Sequence, residues 1–312
     1  MNSFEDNFPQ LKQKSPWNSL IILILLFFAA NVVGQFIAIG LAALLTQEGI
    51  LSVIKLFEPP YSEKTKIAIY TAQAVGHFLG FTAFSLFFIK ALDNNKINLY
   101  LNKHRLTYNQ GFVVVGITFF FMIFNSIIIE WNMNIEFPEF LREFEDWARN
   151  MEDQMLELTK LLSTYNSFGE MLLALVIIAV LPALGEELVF RGLLQTKLHA
   201  ITKNAHAAIW IAAVIFGAFH MQFYGVVPRI LLGALFGYLY FYSGNLWYAI
   251  LAHFINNGLA VLVAYIGPRV DEDWDATEMD SEVPIYLSII GLIACGYLFS
   301  LFYKTMKNKL NG

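Results

Sequence analysis

Two adjacent glutamates and an arginine, Glu186, Glu187 and Arg191, stand in the stretch LPALGEELVFRGLLQ, residues 181–195, which overlaps the end of an apolar run over 168–184. A charged side chain at mid-bilayer costs roughly 2.5–3.5 kcal/mol on insertion scales. Three ionisable groups so close together therefore point to a function. On a helix Glu187 and Arg191 are i and i+4 and can pair along one face, while Glu186 is rotated by about 100° toward another neighbour. One carboxylate is neutralised locally; the other is left for chemistry.

Two later stretches add polar groups in an equally apolar setting. His220 ends FGAFH, residues 216–220, and His253 and Asn257 lie in HFINN, where they are i and i+4 and share a helix face. Any one of these alone has the profile of a structural hydrogen-bonding residue. Together they supply carboxylates, imidazoles, an amide and a cation, a set too costly to face lipid, so they should converge on an internal hydrated cavity. Such a cavity holds what peptide hydrolysis requires. Glu186 takes a proton from water, His220 holds and polarises that water, His253 and Asn257 donate to the developing oxyanion, and Glu187 with Arg191 sets the geometry. A His₂Glu zinc site built from Glu186, His220 and His253 is the alternative, although the HExxH helix motif is absent. The metal-independent, glutamate-activated water is the preferred reading. A serine or cysteine nucleophile is disfavoured, because no serine lies in these motifs and Cys295 lies in the last apolar stretch.

The elements that must position these groups are membrane helices. Of 312 residues, 57% are hydrophobic and 14% charged, against about 25% charged in a soluble domain. The expected fold is all-α, a polytopic membrane helix bundle of about eight transmembrane helices. The expected spans are 20–45, 67–89, 112–129, 168 to about 198, 207–223, 227–242, 246–266 and 285–303. The first is too long for the apolar core of a signal peptide. Between the third and fourth, residues 136–162 repeat apolar side chains at a helical period (Phe137, Phe140, Phe144, Trp147, Met151 and Met155 among them) with acidic residues between. That pattern predicts an amphipathic extramembrane helix, either a lid or substrate guide or a plain packed helix. The chain divides into an N-terminal three-helix membrane region (1–130), the amphipathic segment (131–167), a catalytic core (168–266), and an acidic loop with the last helix (267–312).

Smaller features complete the reading. Asn31 and Gln35 share a face of the first span and should turn toward protein; Gly76 and Gly80 in the second have GxxxG spacing. His77 reads as a histidine bonded to a neighbouring helix, since no carboxylate or second histidine accompanies it in sequence. Asp271, Asp273, Asp275, Thr277 and Glu282 approach an EF-hand register, but Ala276 replaces the required glycine and Pro284 follows, so the segment reads as a solvated acidic loop. The net charge of −5 argues against nucleic acid as a partner, and a single cysteine allows no intrachain disulfide. Eight spans put both termini on one side with twelve of the twenty Lys and Arg residues, which favours cytoplasmic termini in a plasma or inner membrane.

At its polar residues the sequence resembles the CPBP family of intramembrane proteases, which includes the CAAX prenyl endopeptidases and the bacterial Abi proteins. GEELVFRG matches the family's EExxxR, FGAFH its FxxxH and HFINN its HxxxN, in the same order and at similar spacing, over about 168–266. The resemblance implies an intramembrane endopeptidase with Glu186 as the water-activating group and Glu187 and Arg191 completing its motif. It further implies His220 as the partner of that glutamate and His253 with Asn257 as oxyanion stabilisers. The substrate implied is a membrane-associated protein or peptide, prenylated or bacteriocin-like, with zinc an open question. Two other functions compete: a non-catalytic immunity or scaffold protein that binds a partner through the same cavity, and a transporter with Glu186 and His220 as a proton relay.

Overall fold

The computed structural model describes residues 4–9, 15–101, 106–271 and 283–311. Asp273, Asp275, Ala276, Thr277 and Glu282 of the acidic loop, and the cations Lys12, Lys14, Lys103 and Arg105, lie outside the described residues. The described chain is helical, with no strand among the described residues. Its long helices are α1 (Pro16–Thr46), α2 (Glu63–Leu92), α3 (Tyr108–Met133), α4 (Arg142–Leu162), α5 (Phe168–Thr202), α6 (Ala205–Phe219), α7 (Val226–Ser243), α8 (Leu246–Val270) and α9 (Ile285–Asn311). Polar caps mark where several begin: Ser15 accepts from the Asn18 amide, Ser167 from Glu170, Asn204 from Ala207 and Asn245 from Trp247. Each cap supplies an acceptor to an amide that has no partner inside its helix.

Seven of these helices are long and apolar enough to cross a membrane: α1, α2, α3, α5, α7 with the turn before it, α8 and α9. The eighth expected span is shorter than its hydropathy suggests. α6 has fifteen residues, about 22 Å of helix at 1.5 Å per residue, against a hydrocarbon core of about 30 Å. It stops because Met221 takes a left-handed φ of 55°, which turns the chain just after His220. His220 therefore sits at a helix end inside the bundle rather than in the middle of a span.

Burial runs opposite to that of a soluble protein. Leu25, Phe36 and Leu44 of α1 are 64–76% exposed, whereas its Ala38 and Ala42 are fully buried. The outward face is thus lipid-like and the inward face small. Asn31 and Gln35 lie against α2 as expected: Asn31 Nδ2 donates to the Phe27 and Gly80 carbonyls at 2.9 and 3.4 Å. A Cβ added at Gly80 would come within 2.5 Å of the Asn31 amide, so the close crossing of α1 and α2 depends on that glycine. α3 packs along α9 and α6 along α7, while α5 touches α2, α6, α7 and α8 at the centre.

Within the expected amphipathic segment, 136–162, the helix runs over Arg142–Leu162 after a single turn at Glu139–Leu141, is not among the helices apolar enough to span, and buries only Ala148. It is tied at both ends. Glu145 accepts from the Phe137 amide at 3.2 Å and from Arg149, whose guanidinium stacks over the Tyr224 ring at 4.6 Å. At the far end Tyr70 of α2 donates to the Leu162 carbonyl at 3.2 Å. α4 therefore crosses from the entry of α7 to the first half of α2. One expectation about charge needs correction. Arg191 and Lys197, two of the twelve cations counted toward the side of the termini, are buried in the bundle, because α5 runs on to Thr202 and carries both inside.

Candidate active site

α5 does not hold a uniform α-helical ladder around its polar residues. Widened, π-helical turns span Leu175–Val180 and Leu188–Gln195, on either side of the α-helical stretch Leu181–Glu187. Such turns are frequent at functional sites because they re-aim side chains. Glu187 and Arg191 still meet, with Nη1 donating to Oε1 at 2.7 Å, both residues being at most 1% exposed. The remaining needs of the guanidinium are met by the Gly233 carbonyl at 3.0 Å and by the rings of Phe216 and Phe236 at 4.4 and 5.3 Å.

His253 of α8 joins that pair. Its Nδ1 donates to Glu187 Oε1 at 2.8 Å, and its ring stacks on Phe236 at 5.1 Å. Because Nδ1 is committed to a carboxylate, Nε2 carries a proton only in the imidazolium form. Nε2 points at Glu186 and lies 3.9 Å from Oε2. His220 binds the Phe216 carbonyl through Nδ1 at 2.9 Å. A carbonyl only accepts, so Nδ1 is the donor and Nε2 is an acceptor in the neutral ring. His220 interacts with Glu186 electrostatically rather than through a direct hydrogen bond.

Asn257 sits differently from the expectation of a free donor. Its Nδ2 donates to the Ile178 carbonyl in the first π turn at 3.0 Å, and its Oδ1 accepts from Asn256 at 3.0 Å. One N–H of Asn257 remains uncommitted. The residue therefore ties α8 to α5 as well as offering a donor. Among the described residues no three His, Cys, Asp or Glu side chains stand in an arrangement that would hold a metal ion. Glu186, His220 and His253 do not form such a group.

The residue that sequence reasoning missed is His77. The expected bond to a neighbouring helix is present, and its partner is the candidate catalytic carboxylate: His77 Nε2 lies 3.3 Å from Glu186 Oε1. Its ring stacks on Phe81, with centroids 4.2 Å apart and planes within 3°. The approach requires Gly185, where an added Cβ would fall 2.9 Å from the His77 ring and 2.8 Å from Phe81. No local signal around His77 announces this contact, since it depends on where α2 crosses α5. Glu186 Oε2 and His77 Nδ1 are both buried with no hydrogen-bond partner. The candidate catalytic carboxylate is thus fixed on one oxygen and open on the other.

Comparison with known proteins agrees with the part of the chain that holds these groups. Residues 168–259 match the family described as type II CAAX prenyl endopeptidase Rce1-like. The chain is also similar to the uncharacterized protein YpbD of Bacillus subtilis (strain 168), 32% identical over 85 residues, or 26% of this chain and 40% of that relative. It thus spans less than half the length of the curated relative it matches. No solved structure matches the chain significantly. The match takes in Glu186, Glu187, Arg191, His220, His253 and Asn257 and leaves His77 outside; the segment that bears the three motifs is similar to the type II CAAX prenyl endopeptidase family, Rce1-like.

Proposed function

We propose that this integral membrane protein is an intramembrane endopeptidase that hydrolyses a peptide bond in a membrane-associated protein or peptide. The observation that carries the reading is the asymmetry of the two glutamates. Each keeps an unpartnered Oε2, but Glu187 is paired through Oε1 with the Arg191 guanidinium and His253, whereas Glu186 meets only imidazoles, His77 at Oε1 and His253 Nε2 at 3.9 Å from its open Oε2. A buried carboxylate with one open oxygen, facing an imidazole, is suited to general base work.

The reaction follows from these positions. A water between Glu186 Oε2 and His220 gives its proton to the carboxylate while its oxygen bonds to the scissile carbonyl carbon. His220 Nε2 accepts the second hydrogen of that water and aims its lone pair. The carbonyl oxygen takes the displaced electron pair as an oxyanion, next to the free N–H of Asn257 and to His253 Nε2 when that ring is protonated. Collapse breaks the C–N bond, and the proton held by Glu186 passes to the departing amine. Glu187 and Arg191 act one step back, holding the His253 ring. The substrate is a prenylated or bacteriocin-like, membrane-associated peptide.

The test compares the peptides released from membranes carrying wild-type protein, Glu186→Gln and His220→Ala, read by mass spectrometry, together with metal analysis of the purified chain. Wild-type-specific products that vanish in both variants at equal expression support the reading. Identical product sets in all three would leave a partner-binding membrane protein in its place, and a stoichiometric metal needed for cleavage would replace the metal-free step.

A further inference from the structure

α5 and α7 lie side by side in a fixed register. Arg191 Nη2 donates to the Gly233 carbonyl at 3.0 Å and Gln195 Nε2 to the Gly237 carbonyl at 3.3 Å. Both pairs share the same sequence offset and the same direction. One turn back along both helices, that register brings Arg229 level with Glu187. The backbone there is held by Asn132 of α3, which accepts from the Val227 amide at 3.0 Å and donates to the Phe223 carbonyl at 3.3 Å. Arg229, inside the expected span 227–242, stands near the candidate active site, with Glu186 among its charged neighbours.

Its guanidinium is only partly used. Nη2 donates to Gln222 Oε1 at 2.6 Å, while Nη1 is buried with no acceptor. The group folds over Gly225, where an added Cβ would fall 2.0 Å from Nη1. Its charged and titratable neighbours are Glu152 of α4, Glu186 of α5 and His220 at the end of α6. Among the described residues no carboxylate forms an ion pair with it. Glu152 comes nearest in role: its Oε2 is also buried without a partner, and burial pushes this carboxyl above its ordinary value although Arg229 pulls the other way. A buried charged donor left unmade costs more than the 1–3 kcal/mol typical of neutral groups. The planar fork of an arginine matches a carboxylate through two parallel N–H···O bonds.

We propose that Arg229 seats a carboxylate of the substrate, supplied by the peptide's own C-terminus or by an Asp or Glu side chain, on the α4 side of the scissile bond. The inference rests on the endopeptidase reading and deepens it: Glu186 is engaged by His77, so the open donor of Arg229 is available to a substrate anion. Glu152 faces the same guanidinium from α4 and marks where that anion lies.

Binding is measured to full-length protein in detergent micelles carrying Glu186→Gln, so that cleavage does not intervene. The probes are four fluorescein-labelled short apolar peptides: one with a free C-terminus, its C-terminal amide, and two amides with an internal Glu or Gln. At least one acid peptide should bind about tenfold or more tightly than its neutral counterpart, and which pair discriminates identifies the source of the carboxylate. Adding Arg229→Gln should remove the preference, Arg229→Lys should keep part of it, and Gly225→Ala, whose methyl takes the guanidinium's place, should weaken it. Equal affinity within both pairs, no saturable binding, or an undiminished preference in a well-folded Arg229→Gln protein would each overturn the proposal. Acid-selective binding without any cleavage by the wild type would overturn the endopeptidase reading and leave this inference standing. Cleavage that ignores charge would do the reverse.

Discussion

Lys197 and Glu186 lie three turns apart on α5, both in the apolar interior, and their surroundings differ in kind. Lys197 Nζ donates to Ser19 Oγ at 2.7 Å and to both Asp93 oxygens at 2.9 Å, and it faces the Phe88 ring at 4.8 Å. Tyr100 adds a further bond to Asp93 at 3.2 Å. Every hydrogen on that ammonium is spoken for, and the cluster ties α1, α2 and α5 together. Around Glu186, by contrast, Oε2 of Glu186, Oε2 of Glu187, Nδ1 of His77 and Nη1 of Arg229 are buried without partners. Burial of charge alone does not separate a clamp from a site. Open valence on the ionisable groups themselves does: beside Lys197 the unpartnered atoms, such as Asn95 Oδ1 and Thr196 Oγ1, are neutral, whereas around Glu186 they belong to carboxylates, an imidazole and a guanidinium.

The comparison breaks first at Lys197. Lys197→Met should cost about 3–5 kcal/mol of stability, because it removes the cation that faces the buried Asp93 carboxylate. Adding Asp93→Asn should recover much of that loss. Thermal unfolding of the detergent-solubilised protein reads both, and a melting temperature unmoved by Lys197→Met would remove the clamp from the argument. Next comes Glu186→Gln, which should lower cleavage by about 10²–10⁴-fold, the usual range for a general base, while the melting temperature stays within a degree or so of wild type. A variant that melts far lower would make Glu186 a second clamp.

Much of the fold is legible in the sequence because its cause is local. Apolar run length predicts the spans, i and i+4 spacing predicts the Glu187–Arg191 pair, and apolar period predicts α4. What escapes has non-local causes. α6 ends early because Met221 adopts a left-handed conformation, although hydropathy continues through FHMQF. Arg229 lies inside the expected span 227–242, and only the α5–α7 register brings it level with Glu187. His77 is the clearest case. It precedes Glu186 by three helices, its sequence neighbours are glycine and apolar residues, and only the crossing permitted by Gly185 brings the two together.

That crossing supplies the third prediction. His77→Phe keeps the stack on Phe81 and removes the donor to Glu186, so kcat/KM should fall by the worth of a hydrogen bond to a charged group, roughly 1.5–3 kcal/mol. His77→Gln, which can still donate, should recover part of it. If His77→Phe matches wild type in rate, the histidine is packing and the open site loses one of its members.

The smallest effect belongs to α4, whose tie to the bundle runs through Glu145. The Phe137 amide first, then Arg149, hold the Glu145 carboxyl below its ordinary value of 4.5. A group whose folded pKa is depressed contributes stability above its unfolded pKa and loses it as pH falls through the folded value. Protection from hydrogen exchange at the Phe137 amide and along α4, after the intrinsic pH dependence of the amides is divided out, should therefore be steady from neutral pH down to about 4.5 and fall only below it. Glu145→Gln should give the faster exchange at every pH, while the Lys197 cluster keeps its protection throughout. Loosening of α4 that begins near neutral pH would mean that Glu145 is not what fastens it, and that the strap over the open site is held by the Tyr70 contact at its other end.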